Sequence, residues 1–153
     1  MPEAQCGFDA VPGGASGSEL LMNLGPTIMV DIGFDKQWNT KMPSAPIPGI
    51  KGVRALVDTG ATESCIDDLL AVQLNLPVFD ERPIGGVGGK HMVKMYLAQI
   101  RIPVLGSNIV GAFAGVHLQA GGQTHKALIG RTFLQHLTMT YDGKSGKVTL
   151  RLG

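Results

Sequence analysis

Along the chain, apolar residues fall in short clusters rich in Val, Ile and Leu, punctuated by Gly, Pro and Asn. That is the spacing of short strands rather than of long amphipathic helices. Residues 27–32 (TIMVDI) and 53–57 (VRALV) predict strands. The alternating run 92–102 (MVKMYLAQIRI) predicts the return limb of a hairpin, and 109–117 and 127–129 predict further strands. Residues 138–141 and 148–152 flank the turn sequence DGKSG and predict a terminal hairpin. Helical periodicity is confined to 67–74 (DDLLAVQL), which ends before Asn75 and Pro77, with a further helical turn over 132–136. The segment 36–49 carries Pro43, Pro46 and Pro48, which cannot donate to a ladder, so it reads as a surface loop that either decorates the molecule or lines a cleft. The fold class is therefore all-β, mainly β with one or two short helices.

Composition narrows the function. With 13 Lys plus Arg against 12 Asp plus Glu, the net charge is +1 and no basic surface for nucleic acid is indicated. The longest apolar run, 109–116, contains Gly111 and Gly115 and falls far short of a membrane span. Cys6 and Cys65 are too far apart in sequence to suggest a zinc site or a disulfide framework, and His91, His117, His125 and His136 show no paired metal spacing, so no metal is expected. Cys65, between Ser64 and Ile66, reads as a buried small hydrophobe. Tyr96 and Phe113 read as core residues, and Trp38 as a loop anchor or an exposed recognition residue. Residues 1–18 have neither the basic nor the apolar region of a secretory signal, so a cytoplasmic location is the default. Their Gly, Ser, Ala and Pro content predicts a flexible N-terminal arm outside the core, leaving 19–153 as one domain. Glycine is the outlier, at 22 of 153 residues against a usual share of about 7%.

Three segments carry candidate chemistry. In Ala55-Leu56-Val57-Asp58-Thr59-Gly60-Ala61-Thr62 an apolar strand delivers a carboxylate into a turn, and the glycine lets the backbone approach whatever that carboxylate touches. Taken alone this is an ordinary Asp-Thr-Gly turn, a triplet met by chance in on the order of a few per cent of chains of this length. The second segment, Ile84-Gly85-Gly86-Val87-Gly88-Gly89-Lys90, is a glycine-rich hairpin tip whose backbone can reorganise around a ligand. Its rival reading as a phosphate loop lacks the strand-to-helix step and the Gly-Lys-Ser/Thr ending. The third, Ala127-Leu128-Ile129-Gly130-Arg131-Thr132, is an apolar strand that ends in Gly-Arg.

Together, and in this order, the three segments resemble the retropepsin-like (retroviral-type) aspartic proteases over about residues 27–152. The resemblance implies a single-domain closed β-barrel of the acid-protease type, one half of a two-fold symmetric dimer. It implies that Asp58 is the catalytic aspartate, that Thr59, Gly60 and Ala61 form the active-site turn, and that Ile84, Gly85, Gly86, Val87, Gly88 and Gly89 form a flap that binds substrate. It gives Ile129, Gly130 and Arg131 a supporting place, with Ile84, Val87 and Ile129 lining apolar pockets. Viral relatives place a carboxylate directly after the alanine to pair with this arginine; here that position is Thr62, and Glu63, Asp67 and Asp68 are the alternatives.

Because the chain has one Asp-Thr-Gly and the chemistry needs two carboxylates, the second must come from another copy. The terminal hairpin 138–152 and the strand 27–32 are the candidate interface. Two carboxylates at that distance share one proton: one activates a water, the other protonates the scissile carbonyl, and no cofactor is needed. Alanine at 61, where pepsin-like enzymes carry Ser or Thr, predicts a working pH less acidic than pepsin's. The expected function is a homodimeric aspartic endopeptidase acting on a peptide or protein substrate, with self-processing of the arm as one form of it. The alternative is a dimeric peptide-binding module of the same fold with weak or no proteolysis.

Overall fold

Strand β2 (Thr27–Gly33) turns Ile28, Val30 and Ile32 into the core while Met29 faces solvent, as strand periodicity requires. The computed structural model describes residues 2–37, 47–86 and 89–153. After β1 (Glu3–Gln5), helix α1 (Gly17–Leu24) and β2, the chain runs through β3 (Gly49–Val57), β4 (Ser64–Asp67), α2 (Asp68–Gln73), β5 (Val78–Gly86) and β6 (Gly89–Ile102). A 3-10 turn (Pro103–Leu105), β7 (Ser107–Val116), β8 (Ala127–Ile129), α3 (Arg131–Leu134), β9 (Leu137–Asp142) and β10 (Lys147–Leu152) complete it. The architecture is all-β with short helices, as expected.

Six strands close a barrel in the order β2, β3, β8, β4, β7, β6 and back to β2, with β5 extending from β6 as a hairpin. A bulge between Val30 and Ile32 lets one short strand serve two neighbours, β3 on one side and β6 on the other. At the bulge, Asp31 is buried, accepts the Gly52 N–H at 3.1 Å and faces Arg101 at 3.7 Å. Inside the barrel, Val53, Val57, Ile66, Ile100 and Phe113 pack together, and the Phe113 and Phe133 rings lie 5.1 Å apart. Tyr96 and Phe113 are core residues as predicted. Gly111 faces Phe133: a Cβ there would lie 2.5 Å from the ring, so this strand position must be bare.

The N-terminal residues depart from expectation. Ala4 and Cys6 are buried in the core, not held outside it, because β1 adds to the edge of β10 and Cys6 N–H donates to Val148 O at 2.8 Å. A three-residue strand is too short to show periodicity, and its partner lies at the other end of the chain. Helix α1 did have a local signal in Ser-x-x-Glu: Ser16 Oγ caps it by accepting the Glu19 N–H at 3.1 Å, and the same hydroxyl donates to Glu19 Oε1 at 3.1 Å. Trp38 and most of the predicted loop 36–49 lie outside the described residues.

β1, β10 and β9 form a second, three-stranded sheet in that order, which leaves β9 with an edge unpaired among the described residues. Of the two candidate interface strands, β2 is paired along one edge by β3 and, over Asp31 to Gly33, along the other by β6. No helix among the described residues is long and apolar enough to cross a membrane.

Candidate active site

Parallel pairing of β3 with β8 sets Val57 opposite Ile129, so Asp58 and Gly130 leave the barrel side by side. Asp58 N–H continues the ladder by donating to Ile129 O at 2.9 Å. The chain then turns: Gly60 N–H donates to Asp58 Oδ1 at 2.9 Å, and Ala61 N–H donates to Asp58 O at 3.3 Å. One carboxylate oxygen is thus anchored by its own turn, and the half-buried side chain stays accessible.

The Gly-Arg segment braces this turn from below. Gly130 N–H, buried, donates to Ser64 Oγ at 2.9 Å, and Ser64 Oγ lies 3.1 Å from Thr132 Oγ1. Backbone bonds add Arg131 N–H to Ala61 O at 2.9 Å and Thr132 N–H to Thr62 O at 3.1 Å. A Cβ at Gly130 would sit 2.6 Å from Glu63 O and 2.9 Å from Ala61 O, so only glycine permits the approach.

The Arg131 guanidinium then spans the outside of the turn, donating from Nη1 to Thr59 O at 2.6 Å and from Nη2 to Thr62 Oγ1 at 2.7 Å. Glu63, Asp67 and Asp68, the acidic alternatives for this arginine, do not hold it. Asp67 instead accepts the Gln119 N–H at 3.1 Å, and Asp68 accepts the Tyr96 hydroxyl at 2.7 Å. That last bond ties α2 to β6, and burial, with the Asp68 carboxylate second, pushes the Tyr96 phenol up to about 12.

The glycine-rich segment forms the end of the β5–β6 hairpin, with Ile84 paired to His91 and Gly86 to Gly89. Val87 and Gly88 lie outside the described residues. Beneath the hairpin is a pocket of about 530 Å³ lined by Ile84, His91, Val93, Asp68, Val116 and His117. Asp58 is not among its lining residues; within one chain the aspartate stands on an open face. A second pocket, about 320 Å³, adjoins the aspartate turn and is bounded by Thr59, Arg131, Leu134, Leu137 and Met139.

Two expectations are corrected here. Ile129 lies inside the barrel rather than at a surface pocket: it is 5% exposed and packs with Ile28, Ile100 and Phe133, because β8 sets Ile129 opposite buried Val57 on one side and Ala127 opposite buried Ile66 on the other. Cys65 is only partly buried, while Cys6 is fully so. Burial, followed by the charges of Glu63 and Asp58, pushes the Cys65 thiol up to about 11. Among the supporting residues that sequence reasoning missed, Ser64 and Gly115 had no local signal. A Cβ at Gly115 would lie 2.6 Å from both Asp68 Oδ1 and the Tyr96 ring.

The model of a family described as retroviral aspartyl protease matches residues 26–141. Among solved structures, EIAV protease complexed with the inhibitor HBY-793 is similar, with 21% sequence identity, a TM-score of 0.47, and cover of 72% of this chain and 85% of that one. No curated protein matches. The family match spans well over half of the chain and contains the aspartate turn, the glycine-rich hairpin and the Gly-Arg brace, and the chain belongs to the retroviral aspartyl protease family.

Proposed function

We propose that this chain is one half of a homodimeric aspartic endopeptidase in which the Asp58 carboxylates of two copies activate a water across a two-fold axis. The observation that carries this reading is the state of Asp58: one copy per chain, half-exposed, one oxygen fixed by Gly60 N–H, on a turn braced by Ser64, Gly130 and Arg131. A rigid carboxylate on an open face is half a site, and a symmetric partner supplies what is missing. The unpaired edge of β9 and the apolar pocket beside it, next to the same turn, offer that partner a place to pair.

In such a dimer the two carboxylates share a proton; the ionised one takes a proton from water as it attacks the scissile carbonyl, and the protonated one donates to the carbonyl oxygen. The tetrahedral intermediate collapses with proton transfer to the leaving amine. The β5–β6 hairpin, Ile84 to Gly89, acts as a flap over an extended substrate, which pairs with it as an added strand. With alanine at 61 the optimum is expected to be less acidic than pepsin's, and a profile peaking below about pH 3 would count against that.

The test is incubation of the protein and its Asp58→Asn variant with a diverse peptide library at mildly acidic to neutral pH, with products read by mass spectrometry. Cleavage by the unaltered chain alone supports the reading. Absence of cleavage by a folded dimer overturns it.

A further inference from the structure

On the outside of the barrel, away from the aspartate turn, the N-terminal segment stands off from β2 and β3 and leaves a groove of about 430 Å³. One wall, Phe8 and Leu24, comes from residues that precede the family-matched region 26–141. The floor is Met29 and Arg54, which face each other across β2 and β3. Val53 and Ala55, the neighbours of Arg54, point into the core, so Arg54 points outward. Arg54 lies four residues before Asp58 on an extended strand, about 13 Å away. The groove is therefore separate from the site described above.

Its chemistry is divided. Leu24 and Met29 leave 43% and 53% of their surface exposed at the mouth. The polar lining is His125, 3% exposed, with Nε2 2.7 Å from Thr27 Oγ1 and Nδ1 3.2 Å from Gln123 Oε1, and Thr124 alongside; the Thr27 hydroxyl donates to Gly25 O at 3.1 Å and so holds His125 in place rather than facing a ligand. Burial, and secondarily the charge of Arg54, hold the His125 pKa below its usual value, so at neutral pH the cation of this groove is Arg54. Among the described residues Arg54 is in no ion pair, and no carboxylate lines the groove.

We propose that this groove binds a small apolar carboxylate, its carboxyl group on the Arg54 guanidinium beside Thr124, its apolar body over Phe8, Leu24 and Met29. A guanidinium fork matches a carboxylate in two parallel hydrogen bonds, and such bonds strengthen in a concave, partly dehydrated site. The volume is that of a small-molecule pocket. Two sources share this chemistry: a free aliphatic acid, and the apolar C-terminal residue of a peptide.

The test is calorimetric titration of the full chain with octanoate, octanamide, N-acetyl-leucine and N-acetyl-leucine methyl ester, with the His125 ring resonances followed by NMR. Each carboxylate is expected to bind at least about 10-fold more tightly than its neutral analogue and to shift the His125 signals. Arg54→Met should abolish that preference, and Asp58→Asn should leave it unchanged. Tighter binding of octanoate names the free acid as source; tighter binding of N-acetyl-leucine names the peptide end. Equal binding of acid and neutral analogue, unchanged preference in Arg54→Met, loss of binding in Asp58→Asn, or no binding at millimolar ligand each overturns the proposal.

Discussion

Arg131 donates from Nη2 to the hydroxyl of Thr62 at 2.7 Å, so a neutral hydroxyl rather than a carboxylate is the side-chain partner of this arginine. The second arm of the guanidinium holds Thr59 O at 2.6 Å, and together the two bonds clamp both ends of the Asp58 turn. A neutral acceptor suffices because the backbone already aligns the segments through Arg131 N–H to Ala61 O and Thr132 N–H to Thr62 O. What the side chain adds is a fixed distance between Thr59 and Thr62.

Arg131→Lys is expected to lose this clamp, since one ammonium on a flexible stem does not span both acceptors. Activity should fall about 10-fold or more, with a smaller loss in Thr62→Val. A double-mutant cycle on folding stability should show coupling of about 0.5–3 kcal/mol. Strict additivity of the two changes would show that the bond does not contribute.

Ser64→Ala removes the acceptor of the buried Gly130 N–H. An unsatisfied buried donor costs about 1–3 kcal/mol, so the melting temperature should drop by roughly 2–12 °C in calorimetry. Because Gly130 sits beside Asp58, peptidase activity measured well below the new melting temperature should fall as well. A variant as stable as the parent would refute the bracing role.

Met139→Lys places a charge beside the unpaired edge of β9, in the pocket next to Thr59 and Arg131. Charged edge positions oppose strand pairing between chains. Sedimentation velocity should find the parent chain dimeric and this variant monomeric and inactive, with the far-UV circular dichroism of the two alike. An unaltered dimer would put the interface elsewhere.

Alkaline stability should follow the buried thiols. Burial pushes Cys6 from 9.0 up to about 12, and Cys65 up to about 11. A thiol whose pKa is higher folded than unfolded stabilises the fold fully below pH 9 and loses that contribution as pH rises through its folded pKa. The melting temperature should therefore decline from pH 9 toward pH 11 and beyond. Cys6→Ala, although less stable at pH 8, should show a shallower decline; an equal slope in both proteins would exclude the thiol as its source.

The sequence determined the strand-rich fold class, the extents of β8 and α2 to within a residue or so, and the three segments that build the site. It could do so because period-two alternation, turn residues and a carboxylate at the end of an apolar strand are local properties. The turn at Asp58 and Gly60 and the hairpin limb Ile84–Gly86 form as those local patterns predict. The tertiary structure alone decided what spans distant parts of the chain. β1 exists because β10, at the far end of the chain, has an edge to fill, and β4 because β7 and β8 flank it. Ile129 faces inward through a register set by neighbouring strands, and Arg131 takes Thr62 while Asp67 and Asp68 hold Gln119 and Tyr96. Which partner a polar group takes depends on the geometry of every competitor, and that geometry exists only once the barrel has closed.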